Sequence, residues 1–360
     1  MALSDIIIQK IKSTGPLGFD KFMEMCLYYP DLGYYTSSQN HIGSNGDFYT
    51  SVSLTPAFGI AIAKQLEEMW RHLDVGTFSI IEYGAGNGRL CRDILSELEL
   101  NEKMYSQLQY HIIEKSTLYD KRELHEKVNI HNSINEIDTI QGCILSNELL
   151  DNFPVHQVIM QDELLEIFID FNDGFVETTQ PASQELKNYF SELNVKLPKG
   201  FRTEVNLLAI DWIREIANVI DKGYVLTIDY GYLSEELYNP RRNQGTLLGY
   251  YHHNITDDLY NRMGQQDITS HINFSALSHW GNKNGLSDCG FTDQCHFLSS
   301  LGIHEFIKGI MLKEKDIMKA ARIASFLNYT LLIDMGCKFK VLIQEKGGCN
   351  KELLGLKTLM

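Results

Sequence analysis

No two of the seven cysteines (Cys26, Cys91, Cys143, Cys289, Cys295, Cys337 and Cys349) stand in a Cys-x-x-Cys pair, and their number is odd. That argues against a disulfide framework and for reduced thiols, with Cys91 and Cys143, set in apolar stretches, expected in the core. No apolar run approaches the ~20 residues of a membrane span, so no membrane insertion is expected. Positive charge is scarce: 32 Lys and Arg against 47 Asp and Glu leave a net charge of −15, and the one dense basic cluster is Arg241-Arg242. Such a surface repels phosphate backbones, so no nucleic-acid partner is expected. Met1 to Asp20 contain no arginine and no basic stretch followed by a long apolar one, from which a cytoplasmic protein is expected. There is no Gly-x-Ser-x-Gly, which leaves a serine hydrolase unsupported. The twelve histidines form no ligand set. His252 and His253 are adjacent and would face opposite sides of a strand, and no carboxylate spacing completes a site around His271 and His279, so no metal is expected.

What the chain does have is 44% hydrophobic and 22% charged residues over 360 positions, enough to pack one large domain or two ordinary ones. A turn-rich, helical preface occupies the first 75 residues, ending in a helix from Pro56, with Thr55 as its cap, to about Leu73. Short apolar runs then alternate with amphipathic stretches. Strands are expected at Phe78–Glu82, Tyr110–Glu114, Val128–Ile130, Gly142–Ser146, Tyr224–Tyr230 and Phe339–Ile343. Helices are expected at Gly88–Leu100, Ser116–Leu124 and Glu204–Ile220. This alternation predicts parallel βαβ units and an α/β, doubly wound sheet. A hairpin of Leu164–Ile169 with Gly174–Val176, followed by a helix, interrupts it. So does the Tyr-, His-, Asn- and Gly-rich stretch of about 232–300. Insertions of this kind usually cover the ligand crevice at the carboxyl ends of the strands.

The sharpest local signal is Glu82-Tyr83-Gly84-Ala85-Gly86-Asn87-Gly88, which follows a strand and opens a helix. Gly84 permits a tight turn, Gly86 lets a ligand reach the backbone, and amides at the helix start face that ligand. A purely structural turn would also account for the glycines, and the strand–turn–helix setting is what favours a binding loop. Glu114 ends the next strand, where a carboxylate can accept hydrogen bonds from two ribose hydroxyls or can simply be an exposed strand end. A dehydrogenase fits less well, because Glu82 would sit beside phosphates. A carboxylate there suits an α-amino group, which favours adenosylmethionine over a dinucleotide. After the fourth strand, Asn147, Glu148 and Asp151 put polar groups and two carboxylates at the crevice mouth. They suit either a cationic acceptor such as guanidinium or the capping of the next turn. Asp229, at the end of the fifth strand, is equally open to both readings.

Together these segments resemble the MidA-like methyltransferases, a family that includes a mitochondrial protein-arginine methyltransferase needed for respiratory complex I assembly. The resemblance runs in order through Gly15-Pro16-Leu17-Gly18-Phe19, Leu32-Gly33-Tyr34-Tyr35, Gly46-Asp47-Phe48-Tyr49-Thr50-Ser51, the Glu82–Gly88 turn, Asn147-Glu148 with Asp151 and Phe153-Pro154, Ile228-Asp229-Tyr230-Gly231-Tyr232, and Gln266 to Phe274. The departure is Tyr83-Gly84-Ala85, where the family usually has Gly-Pro. The resemblance implies a Rossmann-like class I methyltransferase sheet with a helical N-terminal extension and substrate-covering insertions. It also implies S-adenosyl-L-methionine as the cofactor and, as acceptor, protein arginine. A non-catalytic assembly factor and a small-molecule methyltransferase are the competing expectations.

The expected division is an N-terminal extension with a cofactor-covering loop at 1–75, a core at 76–160 and 200–235, a hairpin and helix insertion at 161–199, a substrate-side insertion at 236–330, and a core strand and tail at 331–360. Glu82, Gly84, Ala85, Gly86, Glu114, Asp47 and Thr50 are expected to hold the cofactor. Glu148, Asp151 and Asn147 are expected to act on the acceptor, with Asp229, Tyr250 and His271 on the substrate side. A protein substrate is the expected partner, and the aromatic-rich insertion is compatible with a homodimer.

Overall fold

The computed structural model describes residues 1–37, 50–114, 125–348 and 351–357. The chain divides into two compact units. The first comprises Met1–Phe48, Leu150–Trp212 and Gly231–His279, and the second Tyr49–Leu149, Ile213–Tyr230 and Trp280–Met360.

The second unit is built on one sheet. Its strands are β1 (Phe78–Tyr83), β2 (Leu108–Ile113), β3 (Val128–His131), β4 (Ile140–Asn147), β5 (Ile220–Tyr232, whose last two residues belong to the first unit), β6 (Ser287–Asp293) and β7 (Phe339–Lys346). They lie in the order β3-β2-β1-β4-β5-β7-β6. The first five are mutually parallel, and β7 runs antiparallel to both β5 and β6. The expected doubly wound α/β sheet is therefore present, and the direction of winding reverses between β1 and β4.

Helix α1 (Pro56–Leu73) starts where the sequence places it: the Thr55 hydroxyl accepts from the Ala57 amide and Pro56 occupies the first turn. Helix α2 (Arg89–Leu98) buries Leu90, Cys91, Ile94, Leu95 and Leu98, an apolar stripe at helical spacing. These side chains join Phe58, Ile62 and Leu66 of α1 and Ile80, Tyr110, Leu145 and Leu226 of the sheet in one buried cluster. Each large side chain removed from water there contributes roughly 1.5–3 kcal/mol. Cys91 and Cys143 lie in that core as buried free thiols.

The first unit has its own sheets and core. Leu164–Phe171 pairs antiparallel with Phe175–Pro181, His156–Met160 and Leu17–Gly18, and His156–Met160 pairs with Arg202–Val205. The helix expected from Glu204 therefore begins later, at Leu207, because Glu204 and Val205 are in a strand opposite Gln157 and His156. In a smaller sheet Leu248–Tyr251 lies between Asn254–Thr256 and Asp267–Thr269. His252 and His253 form the intervening turn with φ of 48° and 60°, not a strand. The core of this unit gathers Phe19, Phe22, Met23, Tyr34, Val155, Ile169 and Ile268. The helix expected at Ser116–Leu124 lies outside the described residues.

Candidate active site

The glycine turn leaves β1 with three glycines in left-handed backbone: Gly84 at φ 68°, Gly86 at 54° and Gly88 at 70°. Residues with a Cβ resist that region, so the glycines are what allow the chain to bend this sharply. Gly84 is locked, its amide donating to the Ile113 carbonyl at 2.9 Å, while the Gly88 amide donates to the carbonyl of buried Ala85 at 2.8 Å. A Cβ on Gly84 would lie 2.7 Å from Leu149 Cδ1, whereas one on Gly86 would meet nothing within 4 Å. Open space thus faces the backbone at Gly86. The Gly86 amide donates to Glu114 Oε2 at 3.0 Å, bringing the two expected cofactor residues together.

Glu82 is only 3% exposed. The Tyr110 hydroxyl donates to its Oε2 at 2.6 Å. Burial pushes the Glu82 carboxyl up to about 7; the Tyr110 hydrogen bond pulls it down and the charge of Glu114 adds to the rise. Tyr110 is expected only as a strand residue from the sequence, although strand alternation puts it on the face of β2 that Glu82 occupies on β1. Tyr83, the unusual residue of the turn, is half-buried; burial chiefly, with the charge of Glu215, pushes its phenol up.

At the end of β4, Glu148 adopts φ 53°, a conformation that a residue with a side chain holds only when its surroundings impose it. Its amide donates to the Ile228 carbonyl at 3.0 Å. Its Oε1 accepts from the Ser51 amide at 3.1 Å and from Asn147 Nδ2 at 3.2 Å. Burial drives Glu148 up to about 8, the contacts from Ser51 and Asn147 oppose this, and Asp229 reinforces it. The Asn147 amide oxygen is buried and accepts no hydrogen bond among the described residues. Fully buried Asp229 accepts from the Leu149 amide at 3.2 Å and the Tyr230 amide at 2.8 Å. Thr50 caps the short helix Ser51–Leu54, its hydroxyl accepting from the Ser53 amide at 3.1 Å. It thereby fixes the amide of Ser51, which no sequence motif singled out. Asp47 lies outside the described residues.

The remaining expected residues belong to the first unit. The carbonyl of buried Asp151 accepts from the Ser270 amide at 2.8 Å. Burial, then the charges of Asp151 and Asp267, push the Tyr250 phenol up. Burial, then Arg242, drives His271 down to about 4, so it is neutral at ordinary pH. Its ring centroid lies 5.3 Å from that of Tyr232, over which the Arg242 guanidinium sits at 3.9 Å.

Glu82 with its glycine turn, Glu114, Glu148 and Asp229 thus all stand at the carboxyl ends of parallel strands. Two of them flank the point where the strand order reverses, which is where open α/β sheets bind ligands. A family model described as "Putative S-adenosyl-L-methionine-dependent methyltransferase" matches residues 61–292, from within α1 into β6. The chain belongs to this family, the MidA-like S-adenosyl-L-methionine-dependent methyltransferases. The methyltransferase is 25% identical to the mitochondrial protein arginine methyltransferase NDUFAF7 homolog of Caenorhabditis elegans, over 96% of this chain and 89% of that protein. It is 26% identical to the Drosophila melanogaster homolog, over 94% and 83%. Its fold matches a Burkholderia thailandensis superfamily member solved with S-adenosyl-homocysteine bound, with a TM-score of 0.85, 27% identity and coverage of 98% and 94%. These relatives correct the cytoplasmic expectation, since the curated ones are named mitochondrial. The lack of a basic leader in Met1 to Asp20, on which that expectation rested, does not fix a compartment. No helix among the described residues is long and apolar enough to cross a membrane.

The chain's own geometry fits S-adenosylmethionine. Glu114 and the Gly86 amide border a space that a Cβ would fill, and buried Glu82 offers a carboxyl with which an α-amino group could pair. When bound, the cofactor supplies a methyl group already activated on a sulfonium.

Proposed function

We propose that this methyltransferase acts on arginine side chains of a protein substrate, with Glu148 receiving the guanidinium. The observation that carries the reading is the setting of Glu148: a carboxylate held in left-handed backbone, gripped by Ser51 and Asn147, next to an amide oxygen that lacks a donor. A guanidinium offers five N–H groups in a planar fork and would satisfy both the free lone pairs of Glu148 and the Asn147 oxygen. The names of the curated relatives, which match nearly the whole chain, support the same acceptor.

In this reading Glu114 accepts from the ribose hydroxyls and Glu82, oriented by Tyr110, takes the amino group, while Gly84, Ala85 and Gly86 present backbone to the methionine part. Thr50 acts through Ser51. The approach of a cation lowers the pKa of Glu148 and ionises it, so the acceptor brings the charge that orients it. With donor and acceptor held in line, most of the rate acceleration comes from orientation. Asp229 holds Leu149 and with it the turn after β4. For Asp151 and His271 an acceptor-side role is proposed from their sequence motifs, and for Tyr250 from its place in the substrate-side insertion.

Radiolabelled methyl transfer into a cell lysate, separated into protein and small-molecule fractions, tests this. Label should enter protein and emerge as methylated arginine after acid hydrolysis. Label confined to small molecules, or to another amino acid, would overturn the acceptor.

A further inference from the structure

Helix α3 (Ile303–Lys313) and helix α4 (Ile317–Leu327), the latter continued by a π-helical segment at Asn328–Asp334, lie in the second unit. Their inner faces are already occupied. Ile303, Ile307, Ala324, Leu327, Leu331 and Leu332 are buried in the core of that unit. Apolar side chains are nonetheless exposed all along this stretch. Leu312, Ile317, Met318, Phe326, Tyr329 and Ile333 are 52–82% exposed. With Met311, this stretch holds seven of the fourteen exposed large hydrophobic side chains among the described residues, a concentration in one part of the chain that points to an interaction surface and not ordinary scatter.

The charge around these side chains is inverted relative to the rest of the protein. Residues 304–340 contain seven Lys and Arg and four Asp and Glu, a net of +3 in a chain of −15. Lys308, Lys313, Lys315, Lys319 and Arg322 are all exposed. Long basic side chains around an apolar helix face are what an amphipathic helix needs to lie in the headgroup region of an anionic bilayer. A second copy of the chain suits the surface poorly, because a two-fold contact brings two patches of net positive charge face to face.

We propose that the outer face of α3, α4 and the π segment is a peripheral docking surface for an anionic membrane. The apolar side chains enter the interface and the lysines engage lipid phosphates, while the acidic remainder of the molecule orients this face toward the bilayer. The inference is independent of the methyl acceptor.

Co-sedimentation of the full chain with vesicles of phosphatidylcholine alone, or mixed with phosphatidylglycerol, reads it directly. Wild type should pellet with the mixed vesicles and not with the neutral ones, and raised salt should release it. Lys315→Glu and Arg322→Glu should each weaken partitioning about fivefold or more. The double variant Phe326→Asp/Ile333→Asp should abolish it while S-adenosyl-homocysteine binding, measured by calorimetry, stays unchanged. Equal binding to both vesicles, no binding to either, or a dimer that the double variant turns into a monomer with no vesicle dependence would overturn the proposal.

Discussion

The hydroxyl of Tyr110 donates a 2.6 Å hydrogen bond to Glu82 just before the glycine turn begins. It is the hydrogen bond that opposes burial in setting the charge of Glu82. Tyr110→Phe should therefore raise the Glu82 pKa further. At neutral pH more of the carboxyl is protonated, and S-adenosylmethionine affinity falls. The loss should shrink as pH is raised and Glu82 ionises. Calorimetric titration across pH reads it; a loss that does not vary with pH would place the defect elsewhere. Stability should drop by about 1–3 kcal/mol through the lost hydrogen bond.

Gly84 and Gly86 should fail in different ways. The Cβ of Gly86→Val has no atom beyond its chain neighbours within 4 Å, so the variant chiefly costs its left-handed backbone, roughly 1–2 kcal/mol, yet fills the space facing the ligand. It should fold with a modestly lower Tm and lose cofactor binding. Gly84→Ala bears the same backbone cost and also presses on Leu149, so its melting temperature should fall further.

Glu114 accepts from the Gly86 amide beside the open face of the glycine turn. Glu114→Ala should lower S-adenosyl-homocysteine affinity by about 10- to 100-fold, the scale of one charge-assisted hydrogen bond to a ribose hydroxyl. Unchanged affinity in calorimetry would remove Glu114 from the site.

Glu148 makes the protein less stable as pH rises. Its folded pKa, about 8, stands above the ordinary glutamate value of 4.5. Between those two values the unfolded chain gives up its proton while the folded one keeps it, so the unfolded state binds fewer protons and stability declines with pH. Below about 4.5 the contribution is complete; above about 8 it is gone. Glu82, at about 7, acts in the same direction. Glu148→Gln should flatten the stability profile across this window in chemical denaturation and should abolish transfer to an arginine substrate. A profile identical to wild type would show that burial does not hold the Glu148 proton.

The sequence by itself determined the elements whose causes are local. Thr55-Pro56 starts α1, the apolar runs give β1, β2, β4 and β5, and the glycine spacing fixes a left-handed turn between a strand and a helix. Those features also carried the family resemblance. β6 stayed hidden, because Ser287–Asp293 has no buried residue and hence no apolar alternation to reveal it. Glu204 looked helical since only its pairing with Gln157 makes it a strand residue. What tertiary structure alone decided is the state of the carboxylates. Tyr110 lies 28 residues from Glu82, Ser51 lies 97 from Glu148, and Asp229 lies 80 from Leu149. Burial and hydrogen bonding set a carboxyl's charge, and both are supplied by residues that sequence spacing cannot bring together.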